Sequence, residues 1–315
     1  QRARLDKGDP DHAITPGREE IGVDGARAQP NAGARMGAMH ETTCDGVGPV
    51  SADADVLAGP AAERPPILEY DPDPADVVGD GFRAADAAKG LRIPRRAVAT
   101  LLGEVSRGWV REQGWEIAFN VDTVTGEFPI WVGEYDGVEV AISEVLVGAP
   151  AAAIVFDRML MLGADTIVAT GSCGSLVHHE VGEFLVPTKA LRDEGTSYHY
   201  LPASRWVETD PAVRAAIEGA VTARGLRYRE CPTWTTDAFF RETPGVVASR
   251  RAEGCETVEM ECAAFAAIAK FRGARFGQIL YSADTLAGEQ HDIRGWGADA
   301  RDTALHLALE AATRT

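Results

Sequence analysis

Aromatic residues and regularly spaced cysteines are both scarce in this 315-residue sequence. Only 7% of its residues are aromatic, and its five cysteines fall at irregular intervals without a C-x-x-C pair. An odd set of irregularly spaced cysteines argues against a disulfide framework and against a zinc site, and it is typical of a reducing compartment. No apolar leader is visible among the first residues, so we expect a cytoplasmic protein.

Basic charge is scarce as well. The 31 lysines and arginines are outnumbered by 48 acidic residues, which leaves a net charge of -17. Without a basic stripe a protein gains little binding free energy from contacts with the phosphates of nucleic acid. An acidic surface is also repelled by anionic membranes. The sequence also has no run of about 18 apolar residues, the length that a membrane-spanning helix needs. We therefore expect neither a nucleic-acid partner nor a membrane partner.

The amino-acid composition of the sequence changes near residue 65. Residues 1–65 are rich in Gly, Ala, Asp, Arg and Pro and poor in large apolar side chains, which predicts a disordered N-terminal extension. Residues 66–315 alternate strand-like and helix-like segments, which predicts a single α/β domain with a central mixed β-sheet flanked by helices. Within it, residues 66–70 are predicted to form the first strand and residues 95–106 a short helix.

An acidic pair around a methionine, Glu259-Met260-Glu261, precedes a small, apolar, helix-like run. Carboxylates accept hydrogen bonds from adjacent sugar hydroxyls, and a thioether packs well against a sugar ring. Asp284 follows an apolar strand-like run, and ligands of α/β proteins bind at such strand ends. The pattern indicates an enzyme that holds a ribose and protonates a group attached to it. Favourable charge at a helix N-terminus explains the acidic pair about equally well.

Three further segments carry polar or aromatic groups next to predicted strands. The turn Gly171–Ser175 offers backbone N–H groups and hydroxyls to an anion or a water, although a plain tight turn fits the same residues. His199 lies in a polar loop, where a site role and a structural role are both open. Phe239 and Phe240 form an aromatic pair that either stacks on a flat base or fills the core.

The order of these motifs resembles the nucleoside phosphorylase/uridine phosphorylase superfamily, which includes purine nucleoside phosphorylases and hydrolytic methylthioadenosine-type nucleosidases. The resemblance covers residues 140–290 well and residues 66–140 poorly. It implies a nucleoside phosphorylase, which cleaves the N-glycosidic bond of a nucleoside, with or without a 5′ modification, using phosphate to give free base and pentose 1-phosphate. It also implies a homo-oligomer (dimer, trimer or hexamer) and no metal or organic cofactor.

The resemblance implies roles for the acidic residues. Glu261 would bind the ribose 2′- and 3′-hydroxyls, with Met260 packed against the sugar face. Glu259 would lie beside the sugar or the base. Asp284 would act as general acid on a purine leaving group.

It also implies where the base and the nucleophile bind. Phe239, next to Phe240, would stack on the base. Phosphate or an attacking water would contact Ser172 and the amides of Gly171 and Gly174.

The sequence departs from the superfamily at its phosphate-binding arginines. Ala169 stands where phosphorolytic members carry an arginine, and residues 68–74 lack the glycine and arginine of the usual N-terminal loop. The Gln-x-Arg pair with which uridine phosphorylases read uracil is also absent after Phe240, and Arg192 and Arg241 are candidate substitutes. Glu69 is a candidate base for an attacking water. These losses keep two alternatives open beside the phosphorylase: a hydrolytic nucleosidase that uses water, and a catalytically idle relative that only binds nucleoside.

Overall fold

The computed structural model describes residues 65–288 and 290–315. The predicted N-terminal extension therefore lies, except for its last residue, outside the described residues. Within the described ranges the chain alternates strands and helices, as expected for an α/β protein. None of the helices there is both long and apolar enough to span a membrane.

The described part contains ten strands and seven α-helices, numbered here in chain order. The strands are β1 (Arg96–Thr100), β2 (Glu116–Thr123), β3 (Gly126–Tyr135), β4 (Val138–Glu144), β5 (Thr166–Ser175), β6 (Phe184–Asp193), β7 (Trp206–Glu208), β8 (Tyr228–Thr236), β9 (Thr257–Glu259) and β10 (Arg275–Thr285). The helices are α1 (Val77–Lys89), α2 (Glu104–Glu112), α3 (Ala149–Met161), α4 (Pro211–Ala223), α5 (Pro244–Ala252), α6 (Cys262–Arg272) and α7 (Arg301–Thr313).

The sheet mixes parallel and antiparallel pairs and closes partly on itself. Strand β5 pairs with β9, β9 with β8, β8 with β6, β6 with β10, and β10 pairs again with β5. On its other side β5 continues into β1, β4, β3 and β2. The predicted central mixed sheet is confirmed.

Helices cover both faces of the sheet. Ala97 and Ala99 of β1 pack in a core with α3 and α6, whereas Val98 between them packs in a second core with α4 and α7. Alternate residues of a strand point to opposite faces, so both faces of β1 are buried. This three-layer arrangement places the ends of the central strands together at one edge of the domain.

Two predictions about the first elements were wrong. Pro66–Leu68 is a short 3₁₀ turn rather than a strand, and residues 95–106, predicted as one helix, contain the strand β1, a short loop and only the first three residues of α2. Alanine favours helices locally, but β1 pairs in parallel with both β4 and β5, and this long-range pairing decides its conformation.

Candidate active site

Three strands bring the predicted site residues to one place. In the β5–β10 register Gly174 lies opposite Asp284, and on the other side of β5 Gly174 lies opposite Val258, the neighbour of Glu259. A cavity of about 380 Å³ opens at this point. Among the residues that the sequence singled out, its walls include Ser172, Gly174, Phe239, Glu259, Met260, Glu261 and Asp284.

The same cavity has walls that sequence reasoning missed. These unpredicted residues are Leu101, Val147, Cys173, Glu242, Val258, Gln278 and Trp296. The cavity thus contains four carboxyl groups, and its described lining includes no arginine and no lysine. Its electrostatic character is acidic.

Glu259 uses its carboxylate to start helix α6. Its Oε2 accepts hydrogen bonds from the backbone N–H groups of Glu261 (2.8 Å) and Cys262 (2.6 Å). Its Oε1 accepts one from the Thr235 hydroxyl at 2.6 Å. The first N–H groups of a helix have no partner within the helix, so this carboxylate satisfies them. Of the two interpretations of the acidic pair, the structure supports the helix-terminus role for Glu259.

Glu261 is the acidic residue of the pair that is better placed for a ligand. Its Oε1 accepts a hydrogen bond from the Gly148 N–H, which stands at the start of α3, at 2.5 Å. Burial and the charge of Glu259 raise the pKa of the Glu261 carboxyl. Burial also raises the pKa of the Glu259 carboxyl to about 7, while its hydrogen bonds with Thr235 and the helix N–H groups act in the opposite direction.

Asp284 has a histidine partner that the sequence did not reveal. The His291 ring nitrogen Nε2 lies 2.7 Å from Asp284 Oδ2. Glu242 faces the same pair, and burial together with the charge of Asp284 raises the pKa of Glu242 to about 7. Three titratable groups therefore meet at one end of the cavity.

Gly174 leaves room for the Asp284 carboxyl. A Cβ atom built on Gly174 would lie 3.0 Å from Val258 Cγ1 and 3.4 Å from Asp284 Oδ1. Any larger side chain here would therefore crowd both the acid and the wall of the cavity. This close approach explains the second glycine of the Gly171–Ser175 segment.

Arg294 fixes the segment that carries His291 and Trp296. Its guanidinium donates to the Ser282 hydroxyl at 2.7 Å and to the Asp284 carbonyl at 2.6 Å. Trp296 has a φ of 56°, in the left-handed region that bulky side chains rarely adopt. Backbone strain of this kind is concentrated at functional sites, and here it belongs to a residue that lines the cavity.

The aromatic pair divides between the cavity and the solvent. Phe239 lines the cavity and is 38% exposed. Phe240 is 93% exposed and contacts the edge of the Phe239 ring, with ring centroids 5.1 Å apart. Only Phe239 is therefore placed to stack on a bound base.

Other candidates from the sequence lie elsewhere. Gly171 is buried, and a Cβ there would meet Leu101 at 3.1 Å, so it serves packing. His199 is exposed and lines a separate groove. Arg241 and Glu69 are exposed and lie outside the cavity lining.

Arg192 is occupied by its own loop. The guanidinium donates to the Ser197 hydroxyl at 2.8 Å and to the Pro202 carbonyl at 2.7 Å. It also lies over the Tyr198 ring, 4.3 Å from the centroid. Arg192 therefore holds the loop in place, and the prediction that it substitutes for a missing ligand-binding residue receives no support from its position.

A glycine and an arginine follow the first strand of the sheet. The strand β1 is followed by Gly103, with a φ of 60°, and then by Arg107 near the start of α2. Arg107 pairs with Glu104 at 2.9 Å and with Glu144 at 3.1 Å. Residues 68–74 follow the 3₁₀ turn Pro66–Leu68 and not the first strand of the sheet.

Comparisons with known proteins identify the family of the chain. The family model described as "Phosphorylase superfamily" matches residues 109–313, and the chain belongs to this family. The resemblance seen in the sequence is confirmed. The chain is 30% identical over 178 residues to the guanosine phosphorylase of Halorubrum lacusprofundi, a match that covers 56% of this chain and 72% of the relative. It is 29% identical over 190 residues to the uridine phosphorylase of Thermococcus kodakarensis, covering 56% of this chain and 66% of the relative.

Solved structures show the same fold. A uridine phosphorylase from Vibrio fischeri superposes with a TM-score of 0.60 at 20% identity, covering 71% of this chain and 93% of that one. An AMP nucleosidase from Bacteroides thetaiotaomicron also gives a TM-score of 0.60, at 18% identity, covering 75% of this chain and 96% of that one. Identities this low establish the fold alone.

Proposed function

We propose that this protein is a nucleoside phosphorylase that cleaves the N-glycosidic bond of a purine nucleoside. The observation that carries the proposal is the meeting of Glu261 and Asp284, which come from different elements, in one cavity of about 380 Å³. Ligand pockets of enzymes typically measure about 300–1,000 Å³, so this volume suits a nucleoside. The guanosine and uridine phosphorylase relatives support the reaction class.

The sugar would bind at the start of α6. Glu261 is buried beside the cavity, and its carboxylate accepts hydrogen bonds from the ribose hydroxyls. Met260 packs its thioether against the sugar face. Glu259 supports this arrangement by capping α6 and so fixing the position of Glu261.

The base would bind between Phe239 and Asp284. The Phe239 ring stacks on the base, and Asp284 delivers a proton to it as the C1′–N bond breaks. A purine ring nitrogen is a suitable acceptor for that proton. His291 orients the Asp284 carboxyl through the 2.7 Å hydrogen bond.

The reaction balances with hydrogen phosphate. One phosphate oxygen forms a bond to C1′ while the C1′–N bond breaks. The electron pair of the C1′–N bond leaves with the base. The base takes the proton of Asp284, and the proton of hydrogen phosphate restores Asp284. Ser172 and Leu101 line the cavity, and Leu101 directly follows the strand β1. Arg107 lies in α2, the helix that comes after β1 in the chain. Ser172 and Arg107 are our candidates to hold the phosphate.

Hydrolysis is the second candidate, and one observation favours it. The described cavity lining has four carboxyl groups and no arginine or lysine, and Arg107 is already paired with two glutamates. A dianion bound here needs compensating donors, whereas a water molecule does not. The idle nucleoside-binding relative is less well supported, because the groups suited to sugar binding and proton donation all lie in the same cavity.

An incubation of the purified protein with purine, pyrimidine and 5′-methylthio nucleosides, with and without phosphate, tests the proposal. Release of free base together with pentose 1-phosphate, and only when phosphate is present, is the expected result. Release of base and free sugar without phosphate would establish the hydrolase instead. No base from any compound would overturn both enzymatic functions. The homo-oligomeric state and the cytoplasmic location stay predictions.

A further inference from the structure

Gln278 is a buried amide without partners in the wall of the cavity. It lies on β10, is 1% exposed and contributes to the cavity lining. Neither its Nε2 nor its Oε1 has a hydrogen-bond partner among the described residues. Leaving a buried donor or acceptor unpaired costs roughly 1–3 kcal/mol, and most such groups in proteins are paired. A ligand that supplies the missing partners explains why this amide is tolerated.

The neighbour of Gln278 in the sheet has a short apolar side chain that offers the amide no partner. The parallel pairing of β10 with β5 places Gln278 beside Ala169. Ala169 has a short side chain at the position where the phosphorylases that the chain resembles carry an arginine. Ser172, three residues further along β5, opens into the same cavity. Gln278 and Ser172 thus belong to adjacent strands that both contribute to the cavity wall.

We propose that the Gln278 amide holds the oxygen nucleophile that attacks C1′. The proposal rests on the proposed function and adds a residue to its nucleophile site. The Nε2 group donates a hydrogen bond to an oxygen of hydrogen phosphate or of water, and Oε1 accepts a hydrogen bond from the O–H group of either nucleophile. An arginine only donates, so replacing it by an amide makes the site suitable for both nucleophiles.

Two substitutions separate the possible nucleophiles. Gln278→Met removes both polar groups and keeps a flexible side chain of similar length. If phosphate is the nucleophile, we expect its KM to rise about 10-fold, the usual effect of losing a hydrogen bond to a charged group. If water is the nucleophile, we expect kcat for hydrolysis to fall by a similar factor. The KM for the nucleoside should stay unchanged in both cases.

Gln278→Glu gives the second contrast. Its carboxylate repels a phosphate dianion, so the KM for phosphate should rise more than in Gln278→Met. The same carboxylate still accepts a proton from water, so hydrolysis should be less impaired than in Gln278→Met. Gln113→Met, at the exposed end of α2, is the matched control and should behave like the wild type.

Melting temperatures with and without inorganic phosphate give a readout that does not depend on turnover. Phosphate should raise the melting temperature of the wild type and of Gln113→Met, but not of Gln278→Met. Without phosphate, Gln278→Met should be as stable as the wild type or more stable, because two unpaired buried groups are removed.

Failure of the proposed function and failure of this inference are distinguishable. If the wild type releases no base, the proposed function fails, and the phosphate-dependent melting shift alone decides the role of Gln278. In that case a wild type without any shift would overturn the inference. If the wild type is active, the inference is overturned when Gln278→Met has the same kcat, the same KM for phosphate and the same phosphate-dependent melting shift as the wild type.

Discussion

The imidazole of His291 and the carboxyl group of Asp284 are joined by a hydrogen bond of 2.7 Å between Nε2 and Oδ2. Asp284 belongs to the last strand of the sheet, whereas His291 belongs to the irregular segment that follows it. Arg294 anchors that segment to the Asp284 carbonyl, so the pair is held at both ends. The proposed general acid thus has an orienting partner supplied by a loop.

Asp284→Asn should separate proton donation from binding. Asparagine keeps the shape of the side chain but does not act as an acid, so kcat on purine nucleosides should fall about 100-fold or more. A nucleoside whose base leaves readily without protonation should be affected much less. Steady-state kinetics on both substrates measures the contrast. A variant that retains full activity on every substrate would show that Asp284 is not the acid.

His291→Leu should weaken the same step indirectly. Without its hydrogen bond the Asp284 carboxyl loses its orientation, and we expect kcat on purine nucleosides to fall about 10-fold with little change in KM. The effect should largely disappear in the Asp284→Asn background, because His291 acts through Asp284. Independent, multiplying effects in the double variant would contradict this role. The exposed Gln290→Leu in the same segment is the control for a general effect on the loop.

The two glutamates around Met260 should respond in opposite ways. Glu259→Gln replaces an acceptor of helix N–H groups and should lower the free energy of unfolding by about 1–3 kcal/mol. Glu261→Gln should leave stability unchanged or raise it, since burial disfavours the Glu261 charge, while the KM for the nucleoside rises. Thermal unfolding and steady-state kinetics of the two variants check both halves. Equal losses of stability would contradict the division of roles.

Glu242 should make stability depend on pH. Its folded-state pKa of about 7 lies above the ordinary value of 4.5, so the folded state binds more protons than the unfolded state between these values. Stability contributed by this group is therefore lost as pH rises from about 4.5 to about 7 and does not fall further above that range. Glu242→Gln should raise the melting temperature more at pH 8 than at pH 5. The exposed Glu139→Gln serves as control, and an equal effect at both pH values would refute the assignment.

Arg107 and Glu144 should affect phosphate in opposite directions. Arg107→Met removes the candidate phosphate-binding cation, so the KM for phosphate should rise about 10-fold. Glu144→Gln releases Arg107 from its 3.1 Å ion pair, so the KM for phosphate should fall. The KM for the nucleoside is the internal reference in both variants. If neither variant changes the KM for phosphate, Arg107 plays no part in binding it.

Elements with strong local signals were predictable from sequence. Asp followed by Pro predicts a helix start at Asp210-Pro211, and in the structure the Asp210 carboxylate accepts hydrogen bonds from the N–H groups of the first turn of α4. A glycine after a helix-like run predicts the end of α6 at Gly273, whose φ is 71° in the structure. By contrast, β1 owes its conformation to pairing with distant strands, which no local pattern reveals.

The candidate site also contains residues with a local sequence signal and residues that only the folded chain brings together. Met260 and Asp284 stand in motifs next to strand ends, and the sequence located them. Glu242 and His291 lie in irregular segments, and only the folded chain brings them to Asp284. Gln278 did carry a signal, because an amide in the middle of the apolar strand β10 is unusual, but its meaning depends on the cavity beside it.

A crystal structure of the protein with a bound purine nucleoside tests the central claim most directly. The account predicts the ribose hydroxyls within hydrogen-bond distance of Glu261, the base against Phe239, and a ring nitrogen of the base beside the Asp284 carboxyl. A nucleoside bound outside this cavity, or one whose sugar and base do not contact Glu261 and Asp284 at the same time, would contradict it.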